Sequence, residues 1–157
     1  LKNMKKAARN SLGGVVMTWV WSKDLETGNE EIDREHRQLL SAVNRLLEAC
    51  AAGRGREELN RIVDFLVQYT QTHFAHEEQQ QRYGYPDYQS HHQYHQAFGK
   101  AAEDLARRLK EEGGTAQLAS RLNKQLVSWL INHIKMEDAK VARYIQKVSE
   151  SSKSSSN

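Results

Sequence analysis

Residues 73 to 95 read HFAHEEQQQRYGYPDYQSHHQYH and contain five of the seven histidines and the single proline of the 157-residue chain. Pro86 ends or begins any helix nearby, whereas the residues on both sides of it recur at helical spacing. Residues four apart on a helix share one face. Two pairs have this spacing: His73 with Glu77, and His91 with His95. The stretch therefore predicts two helices joined by a short turn, each presenting histidine on one face.

The same period extends over the rest of the chain. Glycines at 13/14, 53/55, 84 and 113/114 divide it into a leader and four long segments, and each segment repeats apolar residues at steps of three and four. No alternating run competes as a strand, so we expect an all-α chain. Short connections between long helices favour antiparallel neighbours. The pattern predicts an up-down-up-down antiparallel four-helix bundle with an N-terminal arm.

Local signals agree with these boundaries. Asn29 and Thr115 are suitable N-caps for the first and fourth helices, and Pro86 suits the first turn of the third. Trp19 and Trp21 precede the first helix, and we expect them to lie in an arm folded back along the bundle. Three segments result: a basic leader or linker at 1–16, the bundle at 17–149 and a disordered serine-rich tail at 150–157. The leader is either part of an upstream segment or an addition to the natural chain.

Composition excludes several classes of function. The net charge is +3, but the leader and tail carry five of the basic residues, which leaves the bundle weakly acidic. A nucleic-acid partner is therefore not expected. No apolar run has the ~18 residues that a membrane helix requires, so we expect no membrane insertion of this segment. The single cysteine, Cys50, lies on an apolar helix stripe, which fits a small core residue in a reducing cytoplasm.

The apolar stripe of every predicted helix contains histidine, and the second and fourth helices each add an acid. The first helix contributes His36 and the fourth contributes His133, with Asp138 five residues later. Together with the two pairs in residues 73–95, five imidazoles and two carboxylates are expected to face the bundle interior. A single inward histidine is more often a hydrogen-bonded core residue, but this many buried polar groups without partners would be strongly destabilising. A metal centre would satisfy them all.

The ligand types restrict the metal. Imidazole and carboxylate without thiolate suit iron, manganese, zinc or copper, whereas calcium and magnesium prefer oxygen ligands throughout. Seven protein ligands are more than one tetrahedral zinc ion uses, so two metal ions are expected. The two carboxylates are natural bridges, and the histidines divide unequally as terminal ligands. One metal ion should then keep an open coordination position.

The motifs WSKDLETGNEEIDREHRQLL, HFAHEE, YGYPDYQSHHQYHQAF and WLINHIKMED resemble those of the bacterial hemerythrins, a family of non-haem di-iron proteins that bind oxygen. The resemblance covers most of residues 19 to 147. It implies that His91, His95 and His133 hold one iron and that His36 and His73 hold the other. It also implies that Glu77 and Asp138 bridge an oxo- or hydroxo-bridged di-iron centre.

The resemblance implies reversible O2 binding for storage, delivery or scavenging, without catalysis. One alternative is an O2 or redox sensory domain of a larger signalling protein such as a chemotaxis receptor, with a signalling domain upstream. A di-iron enzyme that consumes peroxide or nitric oxide is a weaker alternative. Fewer anionic ligands than in carboxylate-rich di-iron oxidases should favour reversible binding. We expect a cytoplasmic monomer whose partner is O2.

Several residues near the site carry separate expectations. His76 and His92 lie off the inward pattern and should face solvent. Glu78 and Glu137 adjoin ligand positions and could accept hydrogen bonds from imidazole N–H groups, but solvated surface acids are the simpler interpretation. Residues five apart lie ~140° apart on a regular helix, so His133 and Asp138 require an irregularity near Lys135 to Asp138. Between Glu78 and Tyr85 the chain is one residue shorter than the family pattern, and glutamines occupy 79–81, which predicts either an irregular end of the second helix or a more polar pocket there.

Overall fold

Four long helices make up most of the chain. The computed structural model describes residues 5–9, 15–54, 56–81, 84–113, 115, 117–118, 121 and 123–154. The first three helices are α1, Glu30–Ala51; α2, Arg56–Gln81; and α3, Tyr88–Glu112. What we call the fourth helix is a run of four pieces: a π-helical turn Asn123–Val127, α4 Ser128–His133, a second π-helical turn Ile134–Asp138, and α5 Ala139–Ser154.

Contacts between the helices show that neighbours run antiparallel. Lys110, near the end of α3, pairs with Asp64 in the first half of α2, with 2.7 Å between Nζ and Oδ1. From α3 to the fourth helix, partner numbers fall as residue numbers rise, as the contacts show: His91 with Asp138, His95 with His133, and Phe98 with Trp129. The predicted all-α class and up-down-up-down four-helix bundle are confirmed. None of the described helices is long and apolar enough to cross a bilayer.

Polar side chains cap the helices where the sequence predicts them. Asn29 Oδ1 accepts hydrogen bonds from the backbone N–H groups of Glu31 and Ile32, at 3.1 and 3.3 Å. Thr115 Oγ1 likewise accepts from the backbone N–H of Leu118 at 3.1 Å, where residues 117 and 118 form the helical turn that precedes the pieces of the fourth helix given above. These bonds satisfy donors that the first turn of a helix leaves without partners. Pro86 differs slightly from its prediction, because α3 begins at Tyr88 and the proline precedes the first turn.

The fourth helix widens at the position that the ligand spacing predicts. Residues Ile134–Asp138 form a π-helical turn, whose extra residue per turn rotates the following residues back toward the preceding face. As a result Asp138 Oδ1 lies 3.1 Å from His133 Nε2, although the two residues are five apart. The expected irregularity near Lys135 to Asp138 is confirmed.

The leader departs from the prediction that no segment forms a strand. Strands β1, Lys5–Arg9, and β2, Val15–Trp19, pair antiparallel from Lys5 opposite Trp19 to Arg9 opposite Val15. Thr18, Trp19 and two valines give β2 the branched and aromatic composition that strands favour. β2 also crosses the predicted boundary between residues 16 and 17. Residues 1–4 and 10–14 lie outside the described part of the chain.

Two side-chain hydrogen bonds fix this arm to the bundle. The backbone N–H of Trp19 donates to Asn44 Oδ1 at 2.8 Å, and Asn44 Nδ2 donates back to the Trp19 carbonyl at 2.7 Å. The Trp19 side chain is buried in the core beside α1. The predicted arm folded along the bundle is therefore present, with β2 as its contact strand.

The C-terminal end also differs from its prediction. Helix α5 continues to Ser154, so the tail predicted as disordered from 150 is helical over its first five residues. Residues 155–157 lie outside the described part. The same holds for residues 82 and 83, on which the predicted irregular end of the second helix falls; α2 itself is helical to Gln81.

The free thiol of Cys50 gives a pH-dependent prediction. Cys50 is buried in the core, and burial raises the pKa of its thiol from 9.0 to about 11. The unfolded chain therefore ionises first, so the thiol's contribution to stability is lost as pH rises from about 9 to 11. We expect the difference in urea midpoint between the native protein and Cys50→Ala to shrink from pH 8 to pH 10. A difference that stays constant would contradict a protonated, buried thiol.

Candidate metal centre

Seven buried polar side chains meet between the four helices. They come from α1, α2, α3 and the fourth helix, and each is at most 5% exposed: His36, His73, Glu77, His91, His95, His133 and Asp138. Every residue that the sequence singles out as a ligand candidate is thus inside the bundle. The helical period places the histidines there because each shares a stripe with core leucines.

Asp138 lies at the centre of this group. Its Oδ1 is 3.0 Å from His91 Nε2 and 3.1 Å from His133 Nε2, whereas its Oδ2 is 3.3 Å from His36 Nε2. The two oxygens of one carboxylate therefore face histidines of different helices. A carboxylate in this position can contact two cations at once.

Two sets of potential ligand atoms share Asp138. In each set the atoms lie within 4.8 Å of one another: His91, His95, His133 and Asp138 in one, and His36, Glu77 and Asp138 in the other. Glu77 is close to both sets, since its Oε2 is 3.4 Å from His95 Nε2. The geometry suits two neighbouring cations with the acids between them.

His73 lies beside the second set but is not one of the residues whose ligand atoms are all within 4.8 Å of one another. Its ring centroid is 4.7 Å from that of His36, in an edge-to-face arrangement. Its Nδ1 forms a 2.7 Å hydrogen bond with Glu35 Oε2, which leaves Nε2 as the nitrogen for a metal ion. His73 therefore adjoins the group with the fewer histidines.

Two carboxylates outside the seven residues contact rings of the buried histidines. Glu35 accepts from Nδ1 of His73 at 2.7 Å and from Nδ1 of His76 at 2.9 Å. Glu78 contacts Nδ1 of His95 at 2.9 Å and Nδ1 of His92 at 2.8 Å. In both cases one acid bridges an inner and an outer histidine. Such bonds fix the tautomer and the orientation of the inner ring.

These contacts change some of the sequence expectations. The interpretation of Glu78 as a solvated surface acid is wrong, and the role of Glu35 is not anticipated at all. His76 and His92 stay outside the cluster as expected, but their side chains are only 30% and 34% exposed. Glu137 is only partly exposed, at 24%, and it pairs with the exposed Lys140 at 3.1 Å.

Burial keeps two of the imidazoles neutral and so available as ligands. Burial lowers the pKa of His95 to about 2. It also lowers the pKa of His73, although the hydrogen bond that His73 makes to Glu35 acts in the opposite direction. Metal ions bind the neutral imidazole, so protonation does not compete near neutral pH. These two imidazoles are therefore in the protonation state that a metal ion requires.

The pKa values of the two central acids, Asp138 and Glu77, are shifted in opposite directions. Burial would raise the pKa of Asp138, but His133 and the neighbouring histidines outweigh it and hold that pKa well below its usual range. Burial and the nearby charge of Asp138 raise the pKa of Glu77 well above its usual range. A cation between the carboxylates would relieve their repulsion and stabilise both as anions.

Unsatisfied polar atoms test whether a metal ion fits. Among the described residues, neither oxygen of Glu77 and neither ring nitrogen of His36 has a hydrogen bond of acceptable geometry. Both residues are fully buried, and a buried polar group without a partner costs about 1–3 kcal/mol. Coordination would supply a partner for one ring nitrogen of His36 and for the oxygens of Glu77, so the donor set fits bound metal ions.

Aromatic rings enclose the cluster. Phe74 stacks on His95 with centroids 3.8 Å apart, and Trp129 stacks on His133 at 4.5 Å. Phe98 contacts both aromatic rings. Leu40 and Ile134 are buried in the same hydrophobic core. These side chains limit access of water to the ligand layer.

The carboxylate of Glu35 gives a testable effect on metal affinity. Glu35→Gln keeps the size of the side chain but removes its charge, so the bond that orients His73 weakens. We expect metal affinity to fall about 10- to 100-fold, measured by competition with a chromogenic chelator. Glu31→Gln is the matched control, because Glu31 is exposed and lies one turn earlier on α1, 3.8 Å from His76. Equal losses in both variants would contradict the orienting role.

Comparisons with known proteins point to one family. Residues 27–145 match the sequence model described as "Hemerythrin HHE cation binding domain". The chain is 31% identical over 128 residues to a bacteriohemerythrin of Stenotrophomonas maltophilia, covering 81% of each chain. It is 30% identical to a bacteriohemerythrin of Methylococcus capsulatus, covering 78% of this chain and 92% of the relative. A myohemerythrin of Theromyzon tessulatum is 26% identical, with 76% of this chain and 88% of the relative covered.

Proposed function

The chain belongs to the hemerythrin family, and on that premise we propose that it binds dioxygen reversibly at a pair of non-haem iron ions. The observation that carries this proposal is the shared carboxylate of Asp138. Its two oxygens face His91 and His133 on one side and His36 on the other, at 3.0 to 3.3 Å. One carboxylate between two histidine groups is the arrangement that a bridged pair of metal ions needs.

The ligands divide into an unequal pair of sets. His91, His95 and His133 would hold one iron, and His36 and His73 the other, with Glu77 and Asp138 as bridges. The second iron has one histidine fewer, so it retains the open position. When bound, the two irons, linked by an oxo or hydroxo group, supply the electrons for reversible dioxygen binding. Two groups of atoms within 4.8 Å of one another support this division: one contains the three histidines of the first set with Asp138, and the other contains His36 with Glu77 and Asp138.

The protein's own residues favour binding without turnover. Five imidazoles and two carboxylates provide fewer anionic ligands than a carboxylate-rich di-iron oxidase, so the oxidised state is stabilised less. Phe74 and Trp129 exclude water from two of the imidazoles, which slows hydrolytic loss of the bound ligand. We therefore propose that the domain stores, delivers or scavenges oxygen and that it is not an enzyme.

Stoichiometry tests this proposal. Iron-loaded, reduced protein should contain two irons per chain and take up one dioxygen per two irons, with full recovery of dioxygen on evacuation. Release of hydrogen peroxide, or continued oxygen consumption with a reductant, would instead indicate a di-iron enzyme. One tightly bound zinc ion per chain would contradict the two-iron site.

The arm supports a second candidate function, the sensing of oxygen or redox state within a larger signalling protein. The Trp21 ring centroid lies 6.5 Å from that of His36, and the Arg37 guanidinium lies over the Trp21 ring, 5.0 Å from its centroid. Asn44 fixes the same arm to α1 through Trp19. A displacement of His36 on ligand binding would therefore move Trp21 and the arm, and with them any domain attached to the arm.

Hydrogen exchange distinguishes the two functions. If the domain is a sensor, the amides of 15–19 should exchange at least about fivefold faster or slower in the oxygenated protein than in the deoxygenated protein. Asn44→Ala should abolish that difference by releasing the arm. Identical exchange in both states favours storage or delivery alone.

We further propose a cytoplasmic monomer as the working form. The single cysteine is buried and free, which suits a reducing compartment. Sedimentation at increasing protein concentration tests the monomer: a constant sedimentation coefficient is expected, and a rising one would contradict it.

A further inference from the structure

The arm contains a strand with an unpaired outer edge. In the described part of the chain its sheet has two strands, β1 and β2. The backbone N–H and C=O of Trp19 both form hydrogen bonds with the side chain of Asn44 on α1, at 2.8 and 2.7 Å. These two groups of Trp19 therefore point away from β1, and β2 lies between β1 and α1. The other edge of β1 has no strand beside it among the described residues.

The register shows which backbone groups of β1 point outward. In an antiparallel ladder, hydrogen-bonded and non-hydrogen-bonded pairs of residues alternate. Lys5 lies opposite Trp19, whose N–H and C=O are directed at Asn44, so this pair is of the non-hydrogen-bonded kind. The pairs of Ala7 and Arg9 are then of the same kind, and the two residues between them and Lys5 bond to β2. The open edge of β1, formed by Lys5, Ala7 and Arg9, thus presents three N–H donors and three C=O acceptors.

Charge restricts what can pair with this edge. Residues 1–16 contain four basic residues and no acid, and three of the four belong to β1: Lys5, Lys6 and Arg9. Basic residues on an edge strand discourage pairing between copies of a protein. If two protomers paired antiparallel about Ala7, each Lys5 would lie opposite the Arg9 of the other protomer. Like charges directly opposite are destabilising, so the edge disfavours a second copy and favours an acidic strand.

We propose that the open edge of β1 is a docking site for an extended acidic segment of a partner protein, which adds to the hairpin as a third strand. Strand addition obtains its affinity from main-chain hydrogen bonds, and the five residues of β1 offer about 17 Å of edge. Nucleic acid or an anionic lipid surface would match the charge but not the row of alternating donors and acceptors. The proposal is independent of dioxygen binding, because it rests on the arm alone.

Amide hydrogen exchange tests the strand pairing residue by residue. The probe is a capped peptide of nine residues that alternates glutamate and valine, added to the full chain. With the peptide bound, the amides of Lys5, Ala7 and Arg9 should exchange at least about tenfold more slowly. The amides of Lys6 and Ala8 should change less, because they already bond to β2. Unchanged exchange at the three edge amides would overturn the proposal, whichever other residues respond.

A proline at the edge tests the main-chain bonds. Ala7→Pro removes an outward N–H and none of the bonds to β2, and proline is tolerated at such edge positions. Affinity for the acidic peptide, measured by NMR titration, should fall at least about tenfold, while the amides of Val16 and Thr18 remain protected by the hairpin. Ala7→Val is the matched control, since it keeps the N–H and should bind the peptide as the native chain does. Equal affinity in the native chain and in a proline variant with an intact hairpin would overturn strand addition.

Reversal of charge tests the partner's chemistry, and it still decides the matter if the proline variant loses the hairpin. The double variant Lys5→Glu, Arg9→Glu should lose the acidic peptide and bind the corresponding peptide of lysine and valine, with the same three edge amides protected. A double variant that binds neither peptide would overturn the proposal. So would an oligonucleotide that displaces the acidic peptide from the native chain at equal charge concentration, because the edge would then be a surface for polyanions in general.

Discussion

Replacing Asp138 with asparagine is expected to abolish the binding of both metal ions. The asparagine side chain has the same size but supplies a neutral amide with one oxygen in place of two charged oxygens. The present contacts reach three histidines on three helices, so both ligand sets lose the same bridge. Removing it should lower iron content from two per chain to less than about 0.2, because affinity falls by more than the 10- to 100-fold typical of an outer partner. Elemental analysis after reconstitution measures this loss.

Glu137→Gln provides the matched control. Glu137 is the adjacent acid on the same π-helical turn, and it pairs with Lys140 at the surface. The control should keep both irons. Retention of one iron in Asp138→Asn would show that the carboxylate belongs to a single metal ion, which contradicts the shared position inferred here.

Truncation of Leu59 is expected to give the largest loss of stability away from the site. Leu59 is fully buried near the start of α2. Leucine to alanine at such positions costs about 2–5 kcal/mol, out of a total free energy of unfolding of about 5–15 kcal/mol for a domain. Chemical denaturation of metal-free protein measures the loss. The folded variant should still bind the native number of metal ions.

Phe65→Ala on the same helix controls for the loss of a large side chain. Phe65 is 49% exposed, so its removal should change the free energy of unfolding by less than about 1 kcal/mol. Similar effects in Leu59→Ala and Phe65→Ala would contradict the assignment of the α2 inner face.

The helices and the inward positions were predictable because they depend on local period. Steps of three and four residues place histidines and leucines on one stripe, whichever partner that stripe meets. The π-helical turn was also predictable, since His133 and Asp138 are five apart and a regular helix cannot direct both to one point. In each case the spacing of residues in the sequence is enough to predict which side chains face the bundle interior.

Other features depend on contacts between segments distant in sequence. Glu35 and Glu78 acquire their roles only when α1 packs on α2 and α2 on α3, so neither residue differs locally from a solvated acid. The hairpin was missed for a different reason. Val15–Trp19 has strand-like composition, but its partner Lys5–Arg9 is basic and shows no apolar alternation. The pairing of β1 with β2 becomes visible only in the folded chain.

Reversible oxygenation is the most direct test of the central claim. Reduced protein with its iron content quantified would be kept anaerobic, exposed to dioxygen and then evacuated while its near-ultraviolet and visible absorption is recorded. We predict two irons per chain and a ligand-to-iron charge-transfer band that appears with dioxygen and disappears on its removal over repeated cycles. A single metal ion per chain, or a spectrum that changes once and does not return, would contradict the proposed oxygen-binding centre.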